Sequence, residues 1–141
     1  MTQSAATGFT GTQRGLTKGQ RASLVIVIGG LAGWFHHGDC VGSDDEAHDI
    51  AVAARLWVAI HPPRDARLRA GRTGDLVFPT EEYLVRNRII VDMTRALIAA
   101  PAGMAEELRS GTWSTVRYAR RCRRPITLVM PDGSVRQEAG Q

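Results

Sequence analysis

Apolar residues come along this chain in short continuous runs, and amphipathic stretches lie between the runs. Those at residues 6–10, 34–37, 56–60, 96–100 and 126–130 read as five strands, the fourth of them wholly apolar. Continuous runs, as opposed to in–out alternation, belong to strands covered on both faces in a parallel sheet. The intervening stretches read as helices. Thr17 with Gln20 three residues on makes a capping box, and Leu24, Val25, Ile28 and Leu31 form one face that Gly29 and Gly30 loosen at its end. Ser43 with Glu46 predicts a second box. There Asp44 and Asp45 suit the positive first turn, and Ala47, Ile50, Ala51 and Ala54 give a small-residue face for close packing. Residues 81–94 read as a third helix with Leu84, Ile90 and Val91 turned partly inward, and 112–122 as a fourth. Pro62 and Pro63 stop the third strand, residues 64–80 predict a long loop, and residues 131–134 (Pro-Asp-Gly-Ser) form a turn.

Strands alternating with helices and joined by right-handed crossovers predict an α/β, Rossmann-like, doubly wound fold. Its mainly parallel five-stranded sheet has the order 3-2-1-4-5, with helices on both faces. Ligands of such sheets sit at the carboxyl ends of the strands where the winding reverses, here between the first and the fourth. One loop reaching that crevice carries Thr10, Gly11, Thr12, Gln13 and Arg14; another runs from Pro101 to Thr112. A third, with Gly38, Asp39, Gly42 and Ser43, lies on its flank. Ser110, Gly111, Thr112 and Trp113 open a helix just past a buried strand. Backbone N–H groups and two hydroxyls at such a corner suit an anion, most often a phosphate. Trp113 either stacks on a base there or packs under the helix. Asp39 or Asp44 is a candidate acceptor for a ribose hydroxyl.

A chain of 141 residues with 43% hydrophobic content is the size of one domain, expected over residues 1–141 with loose ends at about 1–5 and 135–141. The longest apolar run, 24–35, is broken by three glycines and falls short of the roughly 18 residues of a membrane span. The N-terminus lacks the basic start and apolar centre of a secretion signal, so a cytoplasmic location without membrane partners is expected. Cys40 and Cys122 are too far apart for a cysteine framework. His36, His37, Asp39, Cys40 and His48 match no closed zinc spacing; neither a metal nor a cofactor is expected. Gly-Lys-Ser/Thr and Gly-x-Gly-x-x-Gly are both missing, which weakens P-loop ATPase and NAD-dehydrogenase readings. The net charge is +4, with Arg117, Arg120, Arg121, Arg123 and Arg124 crowded together. They read as a solvated helix end or as a nucleic-acid footprint, and only Tyr118 among them offers an aromatic platform.

The segments GFTGTQRG, HHGDCVGSDDEAHDIA, YLVRNRIIVD, ALIAAP and SGTWSTVRYARRCRRPITLVMPDG, in that order, resemble the SLOG superfamily. It is named for DNA-processing protein A and the lonely-guy phosphoribohydrolases, and the resemblance runs from about Gly8 to Gly133. It implies a Rossmann-like fold that binds nucleotides or molecules derived from them, often as a homodimer or higher homo-oligomer. In the lonely-guy enzymes a Pro-Gly-Gly-x-Gly-Thr-x-x-Glu motif cradles phosphate and supplies a catalytic glutamate. Gly111 and Thr112 match its Gly-Thr, but Thr115 occupies the glutamate position, and that family's Arg-Lys pair corresponds to Arg86 and Asn87. A threonine cannot stand in for the carboxylate. Resemblance to DNA-processing protein A rests on residues 42–48 and on Arg86, Asn87 and Arg88; that family binds single-stranded DNA, in generally longer chains.

The expected function is binding of a nucleotide or nucleotide-derived small molecule, mononucleotide or ADP-ribose-like, by a sensor or sequestering protein. One alternative is a nucleotide N-glycosidic phosphoribohydrolase in which Glu106, Glu107 or Asp39 replaces the missing glutamate. The other is a single-stranded DNA-binding protein that uses the arginine cluster; nucleic acid is the secondary partner.

Overall fold

A computed structural model describes residues 6–140. The five expected strands form within a residue of their expected ends: β1 (Ala6–Gly11), β2 (Trp34–His37), β3 (Trp57–Ile60), β5 (Ala96–Ala100) and β6 (Ile126–Val129). The helices between them are α1 (Lys18–Gly29), α2 (Ser43–Ala53), α3 (Tyr83–Asp92) and α4 (Gly111–Arg121). The sheet has seven strands, not five, because β4 (Leu76–Val77) and β7 (Val135–Glu138) flank it. Its order is β4-β3-β2-β1-β5-β6-β7, so the expected order forms the centre of a wider sheet. All pairings are parallel except that of β7 with β6.

Both added strands lie at edges; β4 is an apolar pair too short to stand out among the glycines, prolines and charges around it, and β7 is polar apart from Val135. β4 comes from the stretch expected to be a loop. It has two half-exposed residues and is seated by Asp75, whose carboxylate accepts from Val58 N at 2.8 Å while its own N–H donates to Val58 O. β7 comes from the stretch expected to be a loose end. Its residues are mostly exposed, and it forms because the turn at residues 131–134 folds it back onto β6. The expected loose ends at 1–5 and at Gln141 lie outside the described residues.

Successive residues of β5 point to opposite faces. Ile98 and Ala100 join Leu24, Ile28, Ala47 and Ala51 of α1 and α2 in one core, whereas Leu97 and Ala99 join Val91, Trp113, Val116 and Ala119 of α3 and α4 in another. The sheet is therefore covered on both faces. Val25 and Leu84, expected to face inward, are about half exposed; Leu24, Ile28, Ile90 and Val91 carry the packing. No helix among the described residues is long and apolar enough to cross a membrane.

Candidate functional site

The end of β1 is held by backbone. Thr12 N donates to Ala100 O of β5 at 3.0 Å, and Thr12 O accepts from both the N–H (3.1 Å) and the hydroxyl (2.6 Å) of Ser43. This corrects the expected capping box on α2. Gly42 is the N-cap, no side chain caps the helix, and Ser43 is drawn to the β1 loop instead. Glu46 turns the same way, accepting from Leu16 N at 2.9 Å and pairing with Arg21. Glycine is required at two points of this close approach. A Cβ on Gly11 would stand 2.6 Å from the Ser43 Cβ, and Gly42, at φ +93°, lies with its Cα against the Gln13 backbone.

Across the crevice, α4 begins where Ser110 Oγ accepts from Trp113 N at 3.2 Å and Ser110 O accepts from Ser114 N at 2.9 Å. Helix geometry leaves the N–H groups of Gly111 and Thr112 without an intrahelical acceptor. The Tyr83 hydroxyl, from the start of α3, packs directly against Gly111, which leaves no room for a side chain there. Between the two loops lies a crevice of about 470 Å³, lined by Gly11, Thr12, Gln13 and Arg14 on one side and by Arg109, Ser110, Gly111 and Thr112 on the other. Leu68, Tyr83 and Ala102 complete its wall. Arg14 and Arg109 are both exposed.

The structure thus brings seven of the expected site residues into one crevice: Gly11, Thr12, Gln13, Arg14, Ser110, Gly111 and Thr112. Thr10, Gly38, Arg86 and Asn87 line a smaller pocket beside it, about 10 Å³, together with Cys40, Asp44 and Tyr83. Arg86 is only 3% exposed. It donates to the carbonyls of Gly38 and His61 (the latter at 3.1 Å), to Asn87 Oδ1 at 2.9 Å and to Cys40 Sγ at 3.4 Å, so it braces the strand ends. Asp39 is buried, and its carboxylate accepts from Arg72 N (2.9 Å) and Gly71 N (3.3 Å), fastening the loop after β3. Pro101 receives Gln20 Nε2 at 2.8 Å, so the glutamine of the α1 capping box also clasps the end of β5. Trp113 is 3% exposed and packs in the core under α4.

Leu68 and Tyr83 were not expected at the crevice, and Ala102 and Arg109 lie in the loop expected to reach it without having been singled out. Arg109, a cation next to the Ser110 corner, carried a usable signal. Leu68 did not, since tertiary bonds bring in its loop, among them Val41 N to Leu68 O at 2.9 Å and Ala70 N to Asp39 O at 2.7 Å.

Burial dominates the electrostatics. It raises Asp44 to about 6, opposed by the Arg86 guanidinium, and raises the Cys40 thiol. All four histidines are paired: His36 Nδ1 with His61 Nε2 at 2.8 Å, and His37 Nε2 with His48 Nδ1 at 2.9 Å. Asp39 N donates to His37 Nδ1 at 2.9 Å, so His37 carries its proton on Nε2 and gives it to His48. Burial lowers His36 to about 4 and His61 to about 3. Among the described residues no group of three or more His, Cys, Asp or Glu gathers around a common point that could hold a metal.

Glu106 does not line the crevice. It pairs with Arg117 at 3.0 Å and Arg120 at 2.9 Å, and Arg120 also holds Glu138 of β7 at 2.9 Å. Arg117 further donates to the carbonyls of Glu107 (3.2 Å) and Leu108 (3.0 Å), and Arg124 to Thr94 O at 2.8 Å. Much of the arginine cluster is therefore occupied in fastening the loop after β5 and the edge of the sheet.

No protein-family model matches the chain, and no curated protein does. Solved structures do. DNA processing protein A from Streptococcus pneumoniae superposes with a TM-score of 0.64 at 20% identity, over 87% of this chain and 49% of that one. The molybdenum cofactor binding protein of Rippkaea orientalis gives 0.68 at 22% identity, over 89% and 76%. DNA processing protein A from Helicobacter pylori, a structure described for its single-stranded DNA binding mode, gives 0.61 at 16%, over 89% and 65%. The chain spans about half the length of the Streptococcus protein and about two thirds of the Helicobacter one. The fold is the Rossmann-like one that these structures share.

Proposed function

We propose that the crevice binds a nucleotide or nucleotide-derived small molecule by its phosphate, as a sensor or a sequestering protein. The observation that carries this reading is the meeting of the α4 N-terminus with the β1 loop in a crevice flanked by Arg14 and Arg109. The helix dipole and the N–H groups of Gly111 and Thr112 favour an anion, and each arginine offers a planar fork to phosphate oxygens. Binding without turnover fits the side chains present. Thr115 donates its hydroxyl to Gly111 O at 2.9 Å, and Glu106 is paired away from the crevice. Of the two neighbouring kinds of protein, one is described as binding a cofactor and one as binding single-stranded DNA. A crevice with this lining suits the smaller ligand, because much of the arginine cluster is already engaged.

The test is a thermal-shift screen against mononucleotides, dinucleotides, cyclic nucleotides, ADP-ribose derivatives and short single-stranded DNA, followed by chromatography of every stabilising ligand. A small nucleotide that stabilises the protein and is recovered intact is the expected result. Release of free base would make the protein a phosphoribohydrolase. Stabilisation by DNA alone would move the function to the polymer.

A further inference from the structure

Asn87 lies on α3 with 6% of its surface exposed. Its Oδ1 accepts from Arg86 Nε at 2.9 Å. A guanidinium can only donate, so that bond settles which end of the amide is oxygen and leaves Nδ2 as the other end. Nδ2 is buried and has no hydrogen-bond partner. Tyr83 lines the same small pocket, and Nδ2 makes no hydrogen bond to its hydroxyl. A buried donor left unmade costs about 1–3 kcal/mol, so such a group points to something that satisfies it.

The space beside it is small and polar. The pocket of about 10 Å³ that Asn87 and Tyr83 line is lined by Asp44 as well, and it shares Gly11, Gln13 and Tyr83 with the large crevice. It has room for about one water-sized group. A hydroxyl fits its chemistry on both counts, because it can accept from Asn87 Nδ2 and donate to a carboxylate. Asp44 accepts from the N–H of Cys40 at 3.2 Å, which leaves lone pairs over.

We propose that Asn87, Tyr83 and Asp44 form a hydroxyl-reading subsite beside the phosphate corner, which takes a ribose hydroxyl of the bound nucleotide and rejects deoxyribose. The inference rests on the crevice reading above and adds the sugar to it. A site built to hydrogen-bond a hydroxyl discriminates strongly against the ligand lacking it, because its buried groups are then left unpaired. The subsite also separates ribonucleotides from DNA, whose sugars cannot satisfy the Asn87 amide in this way.

The experiment is calorimetric titration of the whole chain with the four ribonucleoside 5′-monophosphates, their 2′-deoxy and 3′-deoxy counterparts, and inorganic phosphate. At least one deoxy series is expected to bind tenfold or more weaker than the ribo series. Asn87→Leu is expected to bring that ratio to about one while leaving the affinity for inorganic phosphate as it was. Because this variant also removes the acceptor of Arg86 Nε, its melting temperature is read alongside. Where it fails to fold, Asn87→Asp, which keeps the acceptor for Arg86 Nε and removes the amide donor, is read in its place with the same expected loss of the ratio. Equal binding of the ribo and both deoxy series overturns the subsite and leaves the phosphate crevice standing, as does a ratio that survives Asn87→Leu in a folded protein. Absence of binding by every probe, inorganic phosphate included, overturns the crevice and the subsite together.

Discussion

At Gly11 and Gly42 the missing side chain is what builds the site, since the β1 loop and the start of α2 approach until no Cβ fits. Gly11→Ala is expected to destabilise the protein by about 1–3 kcal/mol through overpacking against Ser43, read as a lowered urea midpoint; an unchanged midpoint would mean the two loops can separate freely. The histidine pairs make a second expectation. Their pKa values lie below the unfolded value, so the unfolded chain takes up protons first as pH falls through about 6.5. Stability is then complete above that pH and is lost on the way down to about 4 and 3. Asp44 works in the opposite sense, its pKa of about 6 adding stability as pH falls from there toward 3.8. Three strongly lowered histidines outweigh one raised carboxyl, so between pH 7.5 and 5.0 the unfolding free energy is expected to drop by at least about 1 kcal/mol. A flat or rising profile would contradict the buried, neutral pairs. At this scale the sequence was legible where chemistry is local, as at Thr17 and Gln20, and illegible where it is tertiary. Nothing near Arg86 in the chain announces that Gly38, His61 and Cys40 will engage it.

The loop after β5 sets the proposed site, because Arg109 and the start of α4 lie at its end. Arg117 and Arg120 strap it through Glu106 and through the carbonyls of Glu107 and Leu108, and Arg120 carries the strap on to Glu138 of β7. Exposed ion pairs contribute little to global stability, typically 0–1 kcal/mol. Glu106→Ala is accordingly expected to shift the melting temperature only slightly, yet to speed amide exchange over residues 102–109 and to weaken nucleotide binding. Unchanged exchange there would show that the strap does not order the loop. The second capping box, at Ser43 and Glu46, has the right residues at the right spacing but fails, because the Thr12 carbonyl and the Leu16 amide compete for those side chains. β4 and β7 went unread for other reasons: β4 is only two residues long, and β7, an edge strand facing water, carries no apolar run.

For the whole molecule, the parallel order of the central strands followed from alternation and crossover handedness, which are properties of the chain as a whole. The net charge of +4 was harder to read from sequence, since it does not tell free arginines from those already in ion pairs. If the ligand is small and two arginines hold it, log Kd should change with log salt by a slope of no more than about 2, well short of that for a DNA interface with many phosphate contacts. Arg121→Ala combined with Arg123→Ala should leave nucleotide affinity unchanged; a large loss would return the cluster to the site. Self-association, which the superfamily resemblance implies, is read by light scattering with and without the nucleotide.

In the proposed function, phosphate is held by the first N–H groups of α4 and the β1 loop. Amide chemical shifts followed during titration with inorganic phosphate and then with the tightest nucleotide test it most directly. The largest shifts are expected at Gly111, Thr112 and Thr12, removed by Arg14→Ala combined with Arg109→Ala. Largest shifts along residues 117–124, with the α4 N-terminus silent, would contradict it.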